Sequence, residues 1–351
     1  MATTFAVPDG RVAMAATLYT GNGTAQTVNN AVNGISFTPD MVWNKGRSVA
    51  YNHNLVDVIR GNSNVIFSNT TDAEQNPGAQ LDITTNGFIS TYRSANLANN
   101  QSAATYVGWQ WNAGGTTVTN GTGTISSQVR ANTTAGFSVV TYTGTGANAT
   151  VGHGLGVVPG MMIVKRRSGI DSWATWTSST SDGYLFLNST SAKATGGAAT
   201  LFGNGSVVVQ PTSTLFSIAT DSSLNASAST YVAYCWAPVA GYSAFGSYTG
   251  NGSADGTFIY TGFRPRYVLI KRTDASADWF INDTSREPYN LMNVSIRADT
   301  ADTEASGGGL AMDALSNGFK MRDAGSGSNA SGGTYIYAAF AENPLKYANA
   351  R

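Results

Sequence analysis

The sequence predicts an all-β protein built as three tandem β-sandwich domains, and three observations predict it. One motif recurs three times at intervals of roughly a hundred residues, in line with sandwich-sized units. Only 11% of the 351 residues are charged, against 40 Gly, 16 Tyr and 14 Phe. That composition suits many short strands joined by polar turns and argues against disorder. Strand-like stretches also alternate with turn signals about every ten residues, and helical periodicity is weak.

The motif is clearest from Tyr248-Thr249-Gly250-Asn251-Gly252 to Pro265 and Lys271. The first copy runs from Tyr19-Thr20-Gly21-Asn22-Gly23 to Pro39 and Lys45, and the second from Tyr142-Thr143-Gly144-Thr145-Gly146 to Pro159 and Lys165. In each copy the Lys lies six residues after the Pro. Pro suits the first residue of a strand, and the apolar run after it suits a strand buried on both faces. On this reading Lys45, Lys165 and Lys271 mark the exit to solvent. The paired glycines read as a turn, because a phosphate-binding loop needs a helix after the glycines and a Lys-Ser/Thr pair at set spacing, which no copy has.

The expected organisation is an N-terminal arm over 1–14, poised to dock on a neighbour, then a first sandwich over 15–115 closing with Tyr106-Val107-Gly108-Trp109-Gln110-Trp111. The glycine-rich 116–133 reads as a linker or hairpin. A second sandwich over 134–240 closes with Tyr231-Val232-Ala233-Tyr234-Cys235-Trp236, and a third over 241–351 closes with Tyr335-Ile336-Tyr337-Ala338-Ala339-Phe340. The best helical candidate, 305–317, is interrupted by three glycines and promises at most one turn. Asp57 and Arg60 share their spacing with Asp283 and Arg286 and read as salt bridges pinning turns, with no clear counterpart in the second unit.

Formal net charge is zero, so no electrostatic footprint for nucleic acid or an anionic membrane is expected. A single cysteine, Cys235, rules out an intrachain disulfide framework and reads as a buried thiol. The N-terminus lacks a signal-peptide pattern and no apolar run reaches bilayer length, so neither secretion nor membrane insertion is expected. His153 lies in a glycine-flanked loop with no obvious partner and His53 in a polar, loop-like stretch, so neither reads as catalytic, and no cofactor or enzymatic activity is expected. The acidic stretch Asp299, Asp302, Glu304 and Asp313 reads as a solvated loop, with calcium ligation as the sharper reading. Trp173, Trp176 and Trp279 follow the buried strands and are the candidate glycan contacts, through stacking on sugar rings; core or inter-domain packing is the competing reading.

Four patches carry a family resemblance: Phe37-Thr38-Pro39-Asp40-Met41-Val42-Trp43-Asn44-Lys45-Gly46-Arg47-Ser48 with Val58-Ile59-Arg60-Gly61; Tyr231 to Trp236; Gly241-Tyr242-Ser243-Ala244-Phe245-Gly246 running on to Gly252; and Tyr335 to Lys346. In these the chain resembles tailed-bacteriophage virion proteins common among marine phages. Asn44, Gly46 and Gln110 depart from that pattern and set the first unit apart. The resemblance implies lectin-like, jelly-roll-like sandwiches, a place in the virion after assembly in the host cytoplasm, and other virion proteins as partners. It further implies a homo-oligomer, with a trimer as one form. The expected function is a non-enzymatic tail-fibre or tail-tip component contacting host-surface glycan. The alternatives are a capsid decoration or head-fibre protein and a polysaccharide depolymerase. Recognition is expected in the loops that differ between copies, such as those after Lys45, Arg167 and Arg272.

Overall fold

A computed structural model describes residues 5–93, 99–307 and 310–342, and its architecture is all-β with antiparallel sheets. Each unit is built on the same four strands, in the spatial order opening, closing, buried, return. In the first unit these are Met14–Thr20, Thr105–Trp111, Met41–Gly46 and Asn54–Asp57. In the second they are Phe137–Thr143, Thr230–Trp236, Met161–Arg166 and Ala174–Thr177. In the third they are Ser243–Thr249, Thr334–Ala341, Pro265–Arg272 and Trp279–Asp283.

Register aligns the copies residue by residue. Met41 pairs with Trp111, Met161 with Trp236 and Tyr267 with Phe340. One face of each main sheet covers its own unit's core, which holds Val42 and Val56 in the first unit, Val164 and Cys235 in the second, and Ile270 and Ala339 in the third. The opposite faces contribute Trp43, Trp109, Trp111, Ile163, Trp236, Leu269 and Phe340 to one core common to all three units. Antiparallel sheets commonly leave one face wet, but here both are covered, which is why the buried strands read as continuous apolar runs. The rings of Trp111, Trp236, Tyr267 and Phe340 meet edge to face in that common core, Trp111 lying 6.1, 5.6 and 5.8 Å from the other three.

The Tyr-Thr-Gly-x-Gly stretch is a turn in all three copies, and its two glycines serve different needs. A Cβ on Gly21, Gly144 or Gly250 would strike the carbonyl oxygen of Gln101, Ala226 or Ala330 at 2.1, 2.5 and 2.3 Å. Gly23, Gly146 and Gly252 instead take φ of 77, 74 and 65°. A buried asparagine fastens each turn: Asn100, Asn225 and Asn329 accept the N–H of Asn22, Thr145 and Asn251 at 3.0, 2.7 and 3.0 Å. Asn100 is the member that the sequence comparison overlooks.

Of the segments outside the repeat, 5–13 and 305–317 differ from expectation, and 116–133 takes the hairpin form of its two readings. Residues 5–13 lie against their own chain: Val7 is buried in the common core, and Gly10 leaves no room for a Cβ beside the carbonyl of Ala341. Residues 1–4 lie outside the described residues. Within 116–133, Val118–Asn120 and Ser127–Asn132 form a hairpin that extends the second unit's main sheet. The 305–317 stretch carries strands Ala305–Ser306 and Met312–Leu315, not a helical turn; Gly308 and Gly309 lie outside the described residues.

Candidate functional site

The three lysines do not exit to solvent. Lys45, Lys165 and Lys271 are each 0% exposed, because the neighbouring unit closes over them. Each ammonium donates to carbonyls of its own unit and to one carbonyl of the next. Lys45 reaches Ala301 O at 3.1 Å, Lys165 reaches Thr71 O at 3.3 Å and Lys271 reaches Thr190 O at 3.0 Å. Burial pulls each ammonium down to about 8. The contacts run from the first unit to the third, from the second to the first and from the third to the second, so they close a ring within one chain.

Eight residues after each lysine stands a second connector. Trp173 Nε1 donates to Phe67 O at 2.8 Å and Thr70 O at 3.1 Å, and Trp279 Nε1 to Phe186 O at 2.9 Å. The first unit has His53 at this position. Its Nδ1 accepts from Trp43 Nε1 at 2.8 Å, so its Nε2 carries the proton and donates to Arg297 O at 2.9 Å. Burial and the nearby Lys45 charge hold this imidazole well below its ordinary pKa. The constant spacing from lysine was the sequence signal that would have grouped His53 with the two tryptophans.

Twelve residues after the lysine come Asp57 and Asp283, and Thr177 holds that position in the second unit. Each aspartate is ion-paired to the arginine three residues on and receives an aromatic donor from the unit on its other side. Tyr234 Oη donates to Asp57 Oδ2 at 2.7 Å, and Trp109 Nε1 to Asp283 Oδ2 at 3.1 Å. At the remaining seam neither partner is present. Thr177 bonds Thr180 at 2.8 Å, the aromatic position is Ala338, and a cavity of about 10 Å³ lies between units there, lined by Thr177, Trp279 and Ala338 among others. Peripheral ion pairs show the same asymmetry. Arg167 meets Glu74, and Arg47 meets Glu304, each at 2.8 Å, whereas Thr273 and Lys193 occupy the third pair of positions.

These positions correct the glycan assignment. Trp173, Trp176 and Trp279 are 0, 2 and 1% exposed, two in the seams and Trp176 in the second unit's own core, so none offers a face to a sugar. His153 is also buried; its Nε2 lies 3.1 Å from Thr212 O, and burial lowers its pKa. The acidic stretch is dispersed. Asp299 accepts the N–H of Trp279, Asp302 pairs with Arg297, Glu304 with Arg47 and Arg286, and Asp313 with Arg322. Among the described residues no three His, Cys, Asp or Glu side chains gather as a metal site. Burial pushes the Cys235 thiol up to about 12, away from nucleophilic reactivity. No helix among the described residues is long and apolar enough to cross a membrane.

A surface cleft of about 410 Å³ lies in the third unit, lined by Arg264, Thr284, Pro288, Tyr289, Asn290 and Glu342, with Ala314. It lies beside the turn after Asp283 and Arg286. In the first unit the equivalent arginine, Arg60, reaches Asn64 O, while Arg286 reaches Val294 O, both at 3.2 Å. The third unit's loop is therefore four residues longer, and the insertion carries Tyr289. Sequence reading missed it because the repeat markers flank the insertion without including it.

No curated protein and no solved structure matches this chain. Residues 12–344 match the family model described as a domain of unknown function, DUF7483, and the chain belongs to that family.

Proposed function

We propose that this chain is a non-enzymatic structural protein of a bacteriophage virion, a tail-fibre or tail-tip component that contacts host-surface glycan. The observation that carries the reading is the closed ring. Three copies of one heterologous interface, repeated by lysine, aromatic and backbone contacts, give a single chain the threefold geometry that an oligomer of separate subunits would otherwise supply. Several residues of catalytic type hold that ring: His53 and Asp283 bind across seams, and Asp57 receives Tyr234. Such a body is a rigid carrier for loops, and weak glycan contacts gain strength when several copies are displayed on one particle.

Labelling the protein in intact particles and imaging the label tests the assignment, with label expected at the tail or its tip. Label confined to the head would favour capsid decoration, which the same threefold body suits, and that alternative requires binding to empty heads lacking tails. Absence of the protein from purified particles would remove both. A depolymerase would release reducing ends from host polysaccharide, and the proposed function requires that none appear.

A further inference from the structure

The geometry points to the third unit's cleft as a saccharide-binding site for a sugar of one or two rings, with Tyr289 as the stacking platform. The inference rests on the glycan-contacting function proposed above and names where that contact is made. Tyr289 is 82% exposed, the most exposed of the large hydrophobic side chains described. An aromatic ring in water on a loose loop would be unremarkable, but this loop is fixed on both sides. Glu287 accepts the N–H groups of Asn293 and Val294 at 3.0 and 2.8 Å. Asn290 exchanges two hydrogen bonds with the backbone of Ala314, donating at 3.2 Å and accepting at 2.9 Å. Tyr289 thus projects from a braced backbone, and little entropy is lost when a ligand settles on it.

The chemistry of the wall selects the ligand. One aromatic face beside a polar cleft suits the C–H face of a pyranose, with hydroxyls turned toward polar side chains. Glu342 supplies a carboxylate acceptor, held by Arg266 at 3.2 Å and Arg264 at 3.7 Å, and Thr284 lines the same wall. Because two guanidiniums neutralise it, the Glu342 carboxylate acts as a hydrogen-bond acceptor and not as a negative field that would exclude acidic sugars. A protein partner would call for an apolar cluster at the centre of the contact, whereas the remaining lining is mostly polar. The cleft's size matches one or two sugar rings. The first unit's shorter loop lacks the residues that carry Tyr289, so the site belongs to the third unit's insertion.

The test is titration of the full-length protein with neutral di- and trisaccharides of glucose, galactose, mannose and N-acetylglucosamine, followed by calorimetry and ligand-observed NMR. Binding is expected from at least one of them, weakened about tenfold or more by Tyr289→Ala and retained by Tyr289→Trp. Tyr260→Ala, at another exposed ring of the same unit, is expected to leave it unchanged. An unchanged unfolding midpoint for Tyr289→Ala would confirm that folding is not the cause. Equal binding by Tyr289→Ala or no binding across the panel would overturn the site. The particle-labelling experiment is independent: label on the tail with no saccharide bound removes the site alone, and Tyr289-dependent binding by a protein absent from particles removes the virion assignment alone.

Discussion

Tyr234 of the second unit donates its hydroxyl to Asp57 of the first at 2.7 Å, and the same carboxylate is paired to Arg60, with both charged side chains 0% exposed. Removing Asp57 therefore leaves a buried guanidinium with less compensation and a buried hydroxyl without its acceptor. Asp57→Ala is expected to cost about 3–5 kcal/mol of unfolding free energy, read from urea denaturation. Thr177→Ala, at the equivalent position of the second unit, removes only a neutral bond to Thr180 and is expected to cost roughly 1 kcal/mol. Equal losses at the two positions would show that the seam contact adds nothing beyond local turn structure.

Much of this fold is written in local spacing. The Pro-to-Lys interval, the paired glycines and the closing strands each lie within a few residues, and the structure keeps all three as turn, buried strand and closing strand. The fate of the lysines is different in kind. Lys45 is buried by a carbonyl of Ala301, 256 residues away, and no periodicity near Lys45 reports that. Trp173 and Trp279 misled for the same reason, since an aromatic after a strand reads alike whether another unit or water lies beyond it. Thr177 and Thr180 were invisible as counterparts of Asp57 and Arg60 because their chemistry differs, although their distance from lysine is the same. The cleft at Tyr289 was hidden by its irregularity, as an insertion matches nothing it can be compared with.

The seam between the second and third units lacks the buried aromatic–carboxylate contact and the outer ion pair found at the other two. Its backbone bonds are nevertheless alike: Lys193 N–H donates to Thr273 O at 2.8 Å, where Glu74 donates to Arg167 O at 2.8 Å and Glu304 to Arg47 O at 2.9 Å. These amides therefore report seam opening on a common scale. Amide hydrogen exchange at Lys193 is expected to be about 10- to 100-fold faster than at Glu74 and Glu304, the equivalent of roughly 1–3 kcal/mol in local stability. Matching protection at all three would mean that the missing contacts do not weaken the seam.

The lysine ring sets a pH dependence whose sign is opposite to the usual alkaline decline. Burial lowers each folded-state ammonium to about 8 from the ordinary lysine value of 10.5. Well below pH 8 both folded and unfolded lysines are charged, and they contribute no slope. Between about 8 and 10.5 the unfolded chain holds more protons, so stability rises with pH. Cys235, raised to about 12 from 9.0, works against this above pH 9, because its unfolded thiol ionises first. The unfolding midpoint is therefore expected to rise between pH 7.5 and 9, and to lose that rise when Lys45, Lys165 and Lys271 are replaced by Met. A midpoint that falls across this window in the unaltered protein would contradict the buried ammonium assignment.

The two seam tryptophans differ in what their indole N–H groups satisfy, and that difference predicts an order. Trp173 bridges two carbonyls of the first unit, Phe67 and Thr70, whereas Trp279 meets Phe186 alone. Replacement by Phe keeps most of the apolar volume and deletes the donor, so the loss reflects carbonyls left without it. Trp173→Phe is expected to cost about 2 kcal/mol and Trp279→Phe about 1 kcal/mol, measured by urea denaturation against the unaltered protein. Because both rings are sealed between units, neither change is expected to alter saccharide binding at the Tyr289 cleft. A weakened affinity in either variant, at unchanged stability, would return the tryptophans to the role of ligand platforms and require the seams to open in solution.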